Sequence, residues 1–251
     1  FNVWAMAFDS QGNKWIGTYD GGLVRLSPSN FPTVYNTTNS NIPSNNVYSL
    51  VVDNQDRVWV GTSSGLAKFD GTTWTIYNST NSQLPNNYCG SLAMDQQNRL
   101  WIATSNGVAR FDGVNWSRYF TTNGLPSNFC FYVTVDANNN KWIGTGGGLA
   151  KFDGTTWTSY TTSNSGLPAN QVQMVKSDSS GNIWVGTGGY GSGYGITKFD
   201  GTIWTTFNSA NSGISGNSIS SFMVDENGNN WIGSFDDGLS LYKPGGVVDV
   251  E

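Results

Sequence analysis

Apolar and polar positions along the 251-residue chain alternate in short bursts, and no stretch of ten or more residues follows a helical period. Val47–Val52, Val58–Thr62, Leu66–Phe69 and Trp74–Tyr77 form one group of four such bursts. Asn54-Gln55-Asp56, Ser63-Ser64-Gly65 and Asp70-Gly71 separate them. These residue types suit tight turns, and Asp-Gly is a strong two-residue hairpin signal. The group predicts four short antiparallel strands, followed by a long polar loop over residues 78–86.

The same group recurs along the chain. Trp-(Ile/Val)-(Gly/Ala)-(Thr/Ser) starts at Trp15, Trp59, Trp101, Trp142, Trp184 and Trp231, at spacings of 44, 42, 41, 42 and 47. An Asp stands six residues before each: Asp9, Asp53, Asp95, Asp136, Asp178 and Asp225. Phe-Asp-Gly-x-x-Trp ends at Trp74, Trp116, Trp157 and Trp204, and a (Leu/Ile)-(Pro/Ser)-x-Asn approach ends at Asn45, Asn87, Asn128, Asn170 and Asn217. Four strands per 40–45 residues is the cue for a propeller, because one small sheet cannot cover both of its faces alone. The reading is all-β: a single β-propeller domain over residues 1–251, with six four-stranded blades of about 42 residues. The blades fall near 1–35, 45–78, 87–120, 128–161, 170–208 and 217–251, with Trp rings as the filling between them. The last blade can supply its own fourth strand, which leaves no strand-exchange clasp, so closure of the ring is expected to rest on packing between blades one and six, which also lack Phe-Asp-Gly-x-x-Trp.

Trp-Ile-Gly-Thr-x-x-Gly-Leu-x-(Lys/Arg)-Phe-Asp-Gly-x-x-Trp, with Leu-Pro-x-Asn and Asp-x-x-Gly-x-x-Trp, resembles the two-component-regulator propeller repeat over essentially the whole chain. The resemblance implies a propeller outside the cytoplasm: extracellular, at the cell surface or periplasmic. It implies a bacterial sensor or secreted surface protein, with other domains of a longer parent chain among its expected partners. It carries no catalytic motif over to these residues.

Composition narrows the chemistry. A net charge of −5 and no basic cluster disfavour a nucleic-acid partner, and no apolar run is long enough for direct membrane insertion. Histidine is absent, which removes triads, imidazole metal ligands and the commonest general base. No cofactor motif or metal cluster is visible, and the chain reads as a non-enzyme. Asp225-Glu226-Asn227-Gly228-Asn229 has only part of a calcium loop, without the distal Glu. Cys89 and Cys130 share one repeat position, where other blades carry Val or Ile, and read as buried thiols. The alternative is a bridge between adjacent strands, which needs Cα atoms within about 7 Å.

The informative departures from the repeat lie between the second and third strands. That loop is minimal in blades two to four, but the fifth has Gly188–Gly195 with Tyr190 and Tyr194. The sixth has Phe235, Asp236 and Asp237, and the first has Tyr19 and Asp20. In a closed ring these three loops would be neighbours and form a ligand site, with ring faces for sugar C–H groups and carboxylates for hydroxyls. A second variable position, five residues before the hairpin Asp, holds Trp4, Tyr48 and Phe131, with Tyr132 following; these are weaker candidates at a channel mouth. The expected partner is an oligosaccharide or a protein. A structural or adhesion spacer is one alternative. A glycan-cleaving enzyme pairing Asp20 with Asp236 or Asp237 is another, and it would need carboxyls about 5–9 Å apart.

Overall fold

The computed structural model describes residues 2–189, 191–225, 227–235, 237–243 and 246–249, the last four by backbone. The chain divides into two compact units, Phe1–Phe120 and Thr121–Glu251. The first holds blade 1 (β1 Val3–Phe8, β2 Lys14–Thr18, β3 Leu23–Leu26, β4 Pro32–Tyr35), blade 2 (β5 Val47–Val52, β6 Val58–Thr62, β7 Gly65–Phe69, β8 Trp74–Tyr77) and blade 3 (β9 Cys89–Met94, β10 Leu100–Thr104, β11 Gly107–Phe111, β12 Trp116–Tyr119). The second holds blade 4 (β13 Cys130–Val135, β14 Lys141–Thr145, β15 Gly148–Phe152, β16 Trp157–Tyr160) and blade 5 (β17 Val172–Ser177, β18 Ile183–Gly189, β19 Ser192–Phe199, β20 Trp204–Phe207). Blade 6 completes it (β21 Ile219–Val224, β22 Asn230–Ser234, β23 Leu239–Lys243, β24 Gly246–Asp249). Each blade is a four-stranded antiparallel meander in chain order, as the repeat predicts. In blade 2 the third strand begins one residue earlier than the pattern indicates, at Gly65.

The Asp six residues before each Trp does more than close a turn. In blade 2, Asp53 Oδ1 accepts from the backbone N–H of Gln55 and Arg57, while Oδ2 accepts from Arg57 Nε at 2.6 Å and Trp59 Nε1 at 2.9 Å. The Trp Nε1 to Asp bond recurs in all six blades, at 2.8–3.0 Å. A six-residue offset brings the two together because the turn doubles the chain back by one hairpin. The bond satisfies an indole N–H that would otherwise be buried unpaired.

Trp15, Trp59, Trp142 and Trp184 each fill the gap to the following blade of the same unit. Trp15 and Leu23 pack on Val47, Val58, Val60, Ala67 and Phe69. Trp59 and Leu66 pack on Leu92, Leu100, Ile102 and Phe111. In the second unit Trp142 and Leu149 meet Val175, Ile183, Val185 and Phe199, and Trp184 and Ile196 meet Phe222 and Ile232. Every blade thus has a Trp-bearing face and an aliphatic face. On the aliphatic face of blade 1, Met6 and Phe8 are 54% and 61% exposed, whereas their blade 2 counterparts Leu50 and Val52 pack against the cluster that holds Trp15. On the Trp-bearing face of blade 6, Leu239 is exposed, whereas Leu23, Leu66 and Leu149 at the same repeat position are fully buried.

The Asn of Leu-Pro-x-Asn secures the loop between blades. Asn45, Asn87, Asn128, Asn170 and Asn217 each accept, through Oδ1, the backbone N–H of a residue seven or eight positions earlier. The apolar residue of the same motif is a buried plug: Ile42, Leu84, Leu125, Leu167 and Ile214. Cys89 and Cys130 are both buried thiols, Cys130 donating to the Ser127 carbonyl at 3.7 Å, and burial pushes the Cys89 thiol pKa up.

Candidate functional site

The variable position five residues before the hairpin Asp is a β-bulge. In blade 2, Val47 pairs with Thr62 and Ser49 with Gly61, so Tyr48 is left out of the ladder. The same irregularity falls at Trp4, Gly90, Phe131, Gln173 and Ser220. A bulge re-aims one side chain without disturbing the rest of the strand. This frees the position from the repeat and explains its variety.

In the first unit the bulged residues build an aromatic row. Trp4 stacks on Tyr19 at 6.0 Å and meets Tyr48 edge-on at 5.3 Å; Tyr48 meets Tyr88 at 4.9 Å. Trp4 is 54% exposed, Tyr19 is also exposed, and Tyr48 and Tyr88 are half-buried. The structure therefore unites Tyr19, from the loop between second and third strands, with Trp4 and Tyr48 from the bulge. It also adds Tyr88, which the repeat comparison did not single out because it precedes the strand. Asp20 sits beside the row in the left-handed region (φ 65°), its N–H donating to Asn46 Oδ1 at 2.9 Å. Burial, then the Tyr19 phenol and the Asp20 carboxylate, raise the Tyr48 pKa.

In the second unit the enlarged loop of blade 5 is a hairpin extension, with Gly188 opposite Gly193 and Gly189 opposite Ser192. Gly193 is required there, since a Cβ would run into the Asn217 carbonyl. Beside the hairpin lies an open cavity of about 490 Å³, bounded by Gly191, Gly193, Ser209, Ser215, Asn217 and Asp237. Asp237 and Tyr194 are exposed. Phe235 donates its N–H to the Ser218 carbonyl at 2.9 Å. Tyr190 and Asp236 lie outside the described residues.

Phe131 and Tyr132 part company. Phe131 packs edge-on against Phe129 at 4.8 Å. Tyr132 turns into the packing between blades 4, 5 and 6, with the Lys176 ammonium over its ring at 5.3 Å. The repeated basic residue of the third strand is likewise occupied locally. Arg25, Lys68, Lys151 and Lys198 each lie 5.4–5.9 Å over the Trp of the adjacent strand. The Asp225 carboxylate accepts from Asn227, Asn229 and Trp231, so its lone pairs are engaged; Glu226 lies outside the described residues.

Asp112, Asp153, Asp200 and Asp225 share one electrostatic signature. Side-chain bonds from Asn229 and Trp231 hold Asp225 down to about 2, and the Thr156 and Thr155 N–H groups hold Asp153 at about 2. Asp112 and Asp200 are lowered by the same kind of backbone donors. These pKa values lie below their unfolded values, so the unfolded chain gains protons first on acidification. The stabilisation is complete above about pH 4 and is lost as pH falls towards 2. With no histidine to titrate, Tm is expected to be flat from about pH 5 to 8 and to drop below about pH 4. A Tm-against-pH series checks this; a step near pH 6.5 would contradict it.

These blades define a β-propeller, and known proteins agree. The two component regulator propeller family matches residues 41–64, 83–106 and 166–189. Segments of three of the six repeats thus match that family's model. A solved extracellular domain of a protein described as a hybrid two component system of B. thetaiotaomicron is similar over 97% of this chain, with 25% identity and a TM-score of 0.83. This chain spans 34% of that domain's length. PorZ, a surface component of the type-IX secretion system of Porphyromonas gingivalis, shares the fold over 95% of this chain and 38% of its own, at 18% identity and a TM-score of 0.71. Virginiamycin B lyase from Staphylococcus aureus shares it over 100% of this chain and 85% of its own, at 12% identity and a TM-score of 0.77. A histidine-to-alanine variant of that lyase is described as catalytically inactive. No curated protein matches the chain.

Proposed function

We propose that this chain is a non-catalytic, extracellular propeller that recognises an oligosaccharide as part of a bacterial sensor or surface protein. The observation that carries this reading is the row Trp4–Tyr19–Tyr48–Tyr88. It offers successive, partly exposed ring faces beside a free-standing carboxylate, Asp20. Sugars present apolar C–H faces to such rings and hydroxyl donors to such carboxylates, while a preformed aromatic wall loses little entropy on binding. The extracellular assignment is supported by the sensor domain of similar structure and by the absence, among the described residues, of a helix able to cross a membrane. The non-catalytic reading is supported by the lack of any histidine, the residue type whose loss inactivates the lyase of like fold.

The test is binding of the protein to a glycan array and to polysaccharide hydrolysates, with product analysis of the same mixtures. Saturable binding is expected, weakened roughly 10- to 30-fold by Trp4→Ala or Tyr48→Ala, with no cleavage. Tyr194→Ala and Asp237→Ala measure whether the blade 5 and 6 loops take part. No saturable ligand would instead favour a spacer, and released product an enzyme.

A further inference from the structure

In the second unit, the approach to blade 6 departs from the repeat at three places that meet. The first is Ser215, where the other approaches carry Pro43, Pro85, Pro126 and Pro168. Ser215 donates its N–H to Ser240 Oγ at 2.8 Å, and the two hydroxyls lie 3.1 Å apart. A proline has no N–H to give. Ser240 is itself a departure: it is 3% exposed and stands where blades 2, 3 and 4 have Ala67, Ala109 and Ala150. The pair pins the approach loop to β23.

The second is Gly216, where the other approaches have Ser44, Asn86, Ser127 and Ala169. Ser44, Asn86 and Ser127 each accept the backbone N–H two residues on, at 2.8–3.1 Å. Gly216 forfeits that bond. Its φ is not left-handed, so the backbone does not demand glycine. The space does: a Cβ there would overlap Asp237 Oδ2 and stand 2.9 Å from the Asp237 Cβ and Cγ.

Asp237 is the third, standing in the enlarged loop of blade 6 where blade 1 has Gly21. Among the described residues no Lys or Arg pairs with its carboxylate, and no N–H or O–H donates to it. The carboxylate is exposed, and it is seated over a glycine that makes room for it. It faces the cavity of about 490 Å³ beside the hairpin extension, a volume within the range of small-molecule sites. Every residue bounding that cavity is a glycine, a serine, Asn217 or Asp237, and none brings an apolar side chain. Asn217 Oδ1 already accepts the Ser209 N–H at 2.8 Å, which leaves its Nδ2 as the donor.

We infer that this cavity binds a small polyhydroxylated amine, of the amino-sugar class. Asp237 takes the ligand ammonium through charge-assisted hydrogen bonds, which are about twice as strong as neutral ones. The Ser209 and Ser215 hydroxyls and Asn217 Nδ2 serve the ligand hydroxyls. A neutral sugar finds no ring face here, and its hydroxyls only exchange water for protein partners, which gains little. An anion meets an unpaired carboxylate and is repelled.

The site does not rest on the aromatic row of the first unit, and the experiment separates the two. Saturation-transfer NMR at about pH 6, where an amine is protonated, compares D-glucosamine with D-glucose, which differ only in the group at carbon 2. D-Glucosamine is expected to give saturable transfer and D-glucose much less. Asp237→Asn is expected to weaken D-glucosamine binding roughly 10-fold or more, and to keep the parent Tm because the carboxylate is unpaired. Gly216→Ala is expected to weaken it as well, since the added methyl displaces the carboxylate without removing the charge. Trp4→Ala is expected to leave it unchanged. No transfer from D-glucosamine, equal transfer from both sugars, or an affinity unaltered by Asp237→Asn would overturn the site. Loss in Trp4→Ala would place the amine on the aromatic row and overturn it equally. Failure of the glycan array to show an oligosaccharide ligand would leave these outcomes untouched.

Discussion

Replacing Asp53 with Ala is expected to destabilise the protein by about 3–5 kcal/mol, the cost of breaking a buried charged network from one side. For a chain of this size that lowers Tm by roughly 10 °C. The carboxylate is buried, and four donors converge on it: two backbone N–H groups, Arg57 Nε and Trp59 Nε1. Arg57 can turn to water, being 28% exposed, but the indole N–H of Trp59 cannot. Asp53→Asn should cost nearly as much despite its matching shape, since its amide would keep one oxygen and present N–H₂ to the donors on the other side. Asp9→Ala should cost clearly less, because Asp9 is only half-buried and has Asn13 in place of the arginine. Urea midpoints of the three variants check the order; equal values for Asp9→Ala and Asp53→Ala would refute the account.

Gly61→Val is expected to be the next most damaging change, at about 2–3 kcal/mol. Gly61 lies where blade 3 approaches blade 2. A Cβ there would stand 2.6 Å from the Cys89 carbonyl and 3.3 Å from Cys89 Cβ, so the obstacle is the backbone of the neighbouring blade. Relief requires β9 to move as a body. Gly233→Ala, at the same repeat position in blade 6, is a useful contrast: its principal obstacle is the Ser221 hydroxyl, which can rotate away. Only Gly61→Val should shift the urea midpoint strongly. Similar shifts in both would point to strand propensity rather than blade spacing.

Most of the architecture was legible because one set of interactions is written six times. The Trp, its Asp six residues earlier and the Asp-Gly hairpin recur in phase, and a pattern of period two reports strands directly. What those residues do for one another was less visible. An Asp at a hairpin end suggests a turn former, and that its second oxygen anchors the Trp stays hidden, because spacing shows proximity without showing which atom faces which. The candidate site was legible only in part. Loop insertions drew attention to Tyr19, Asp20, Tyr194 and Asp237, and the repeat alignment isolated Trp4 and Tyr48. Their union with Tyr88 depends on a bulge, which occupies an ordinary residue position in sequence and announces itself only through pairing. Phe131 and Tyr132 show the converse: adjacent aromatics look alike in a string, yet Tyr132 is drawn into inter-blade packing.

The exposed Met6 and Phe8 of blade 1 bear on how the first unit comes apart. Blades 1 and 2 share the four-stranded meander and the Trp–Asp bond. Within the first unit blade 2 nevertheless has both faces packed, by Trp15 on one side and by Leu92 and Phe111 on the other, whereas blade 1 packs through its Trp-bearing face and has Met6 and Phe8 exposed. Local opening of blade 2 must expose two apolar interfaces, and opening of blade 1 exposes one. At about 25 cal/mol per Å² the difference amounts to several kcal/mol, far more than any difference in strand propensity between them. Amide protons of β1–β3 should therefore exchange through a cheaper fluctuation than those of β5–β7, although the two blades have the same strand order. In such an array the local stability of a strand is set by its place in the stack more than by the residues that compose it.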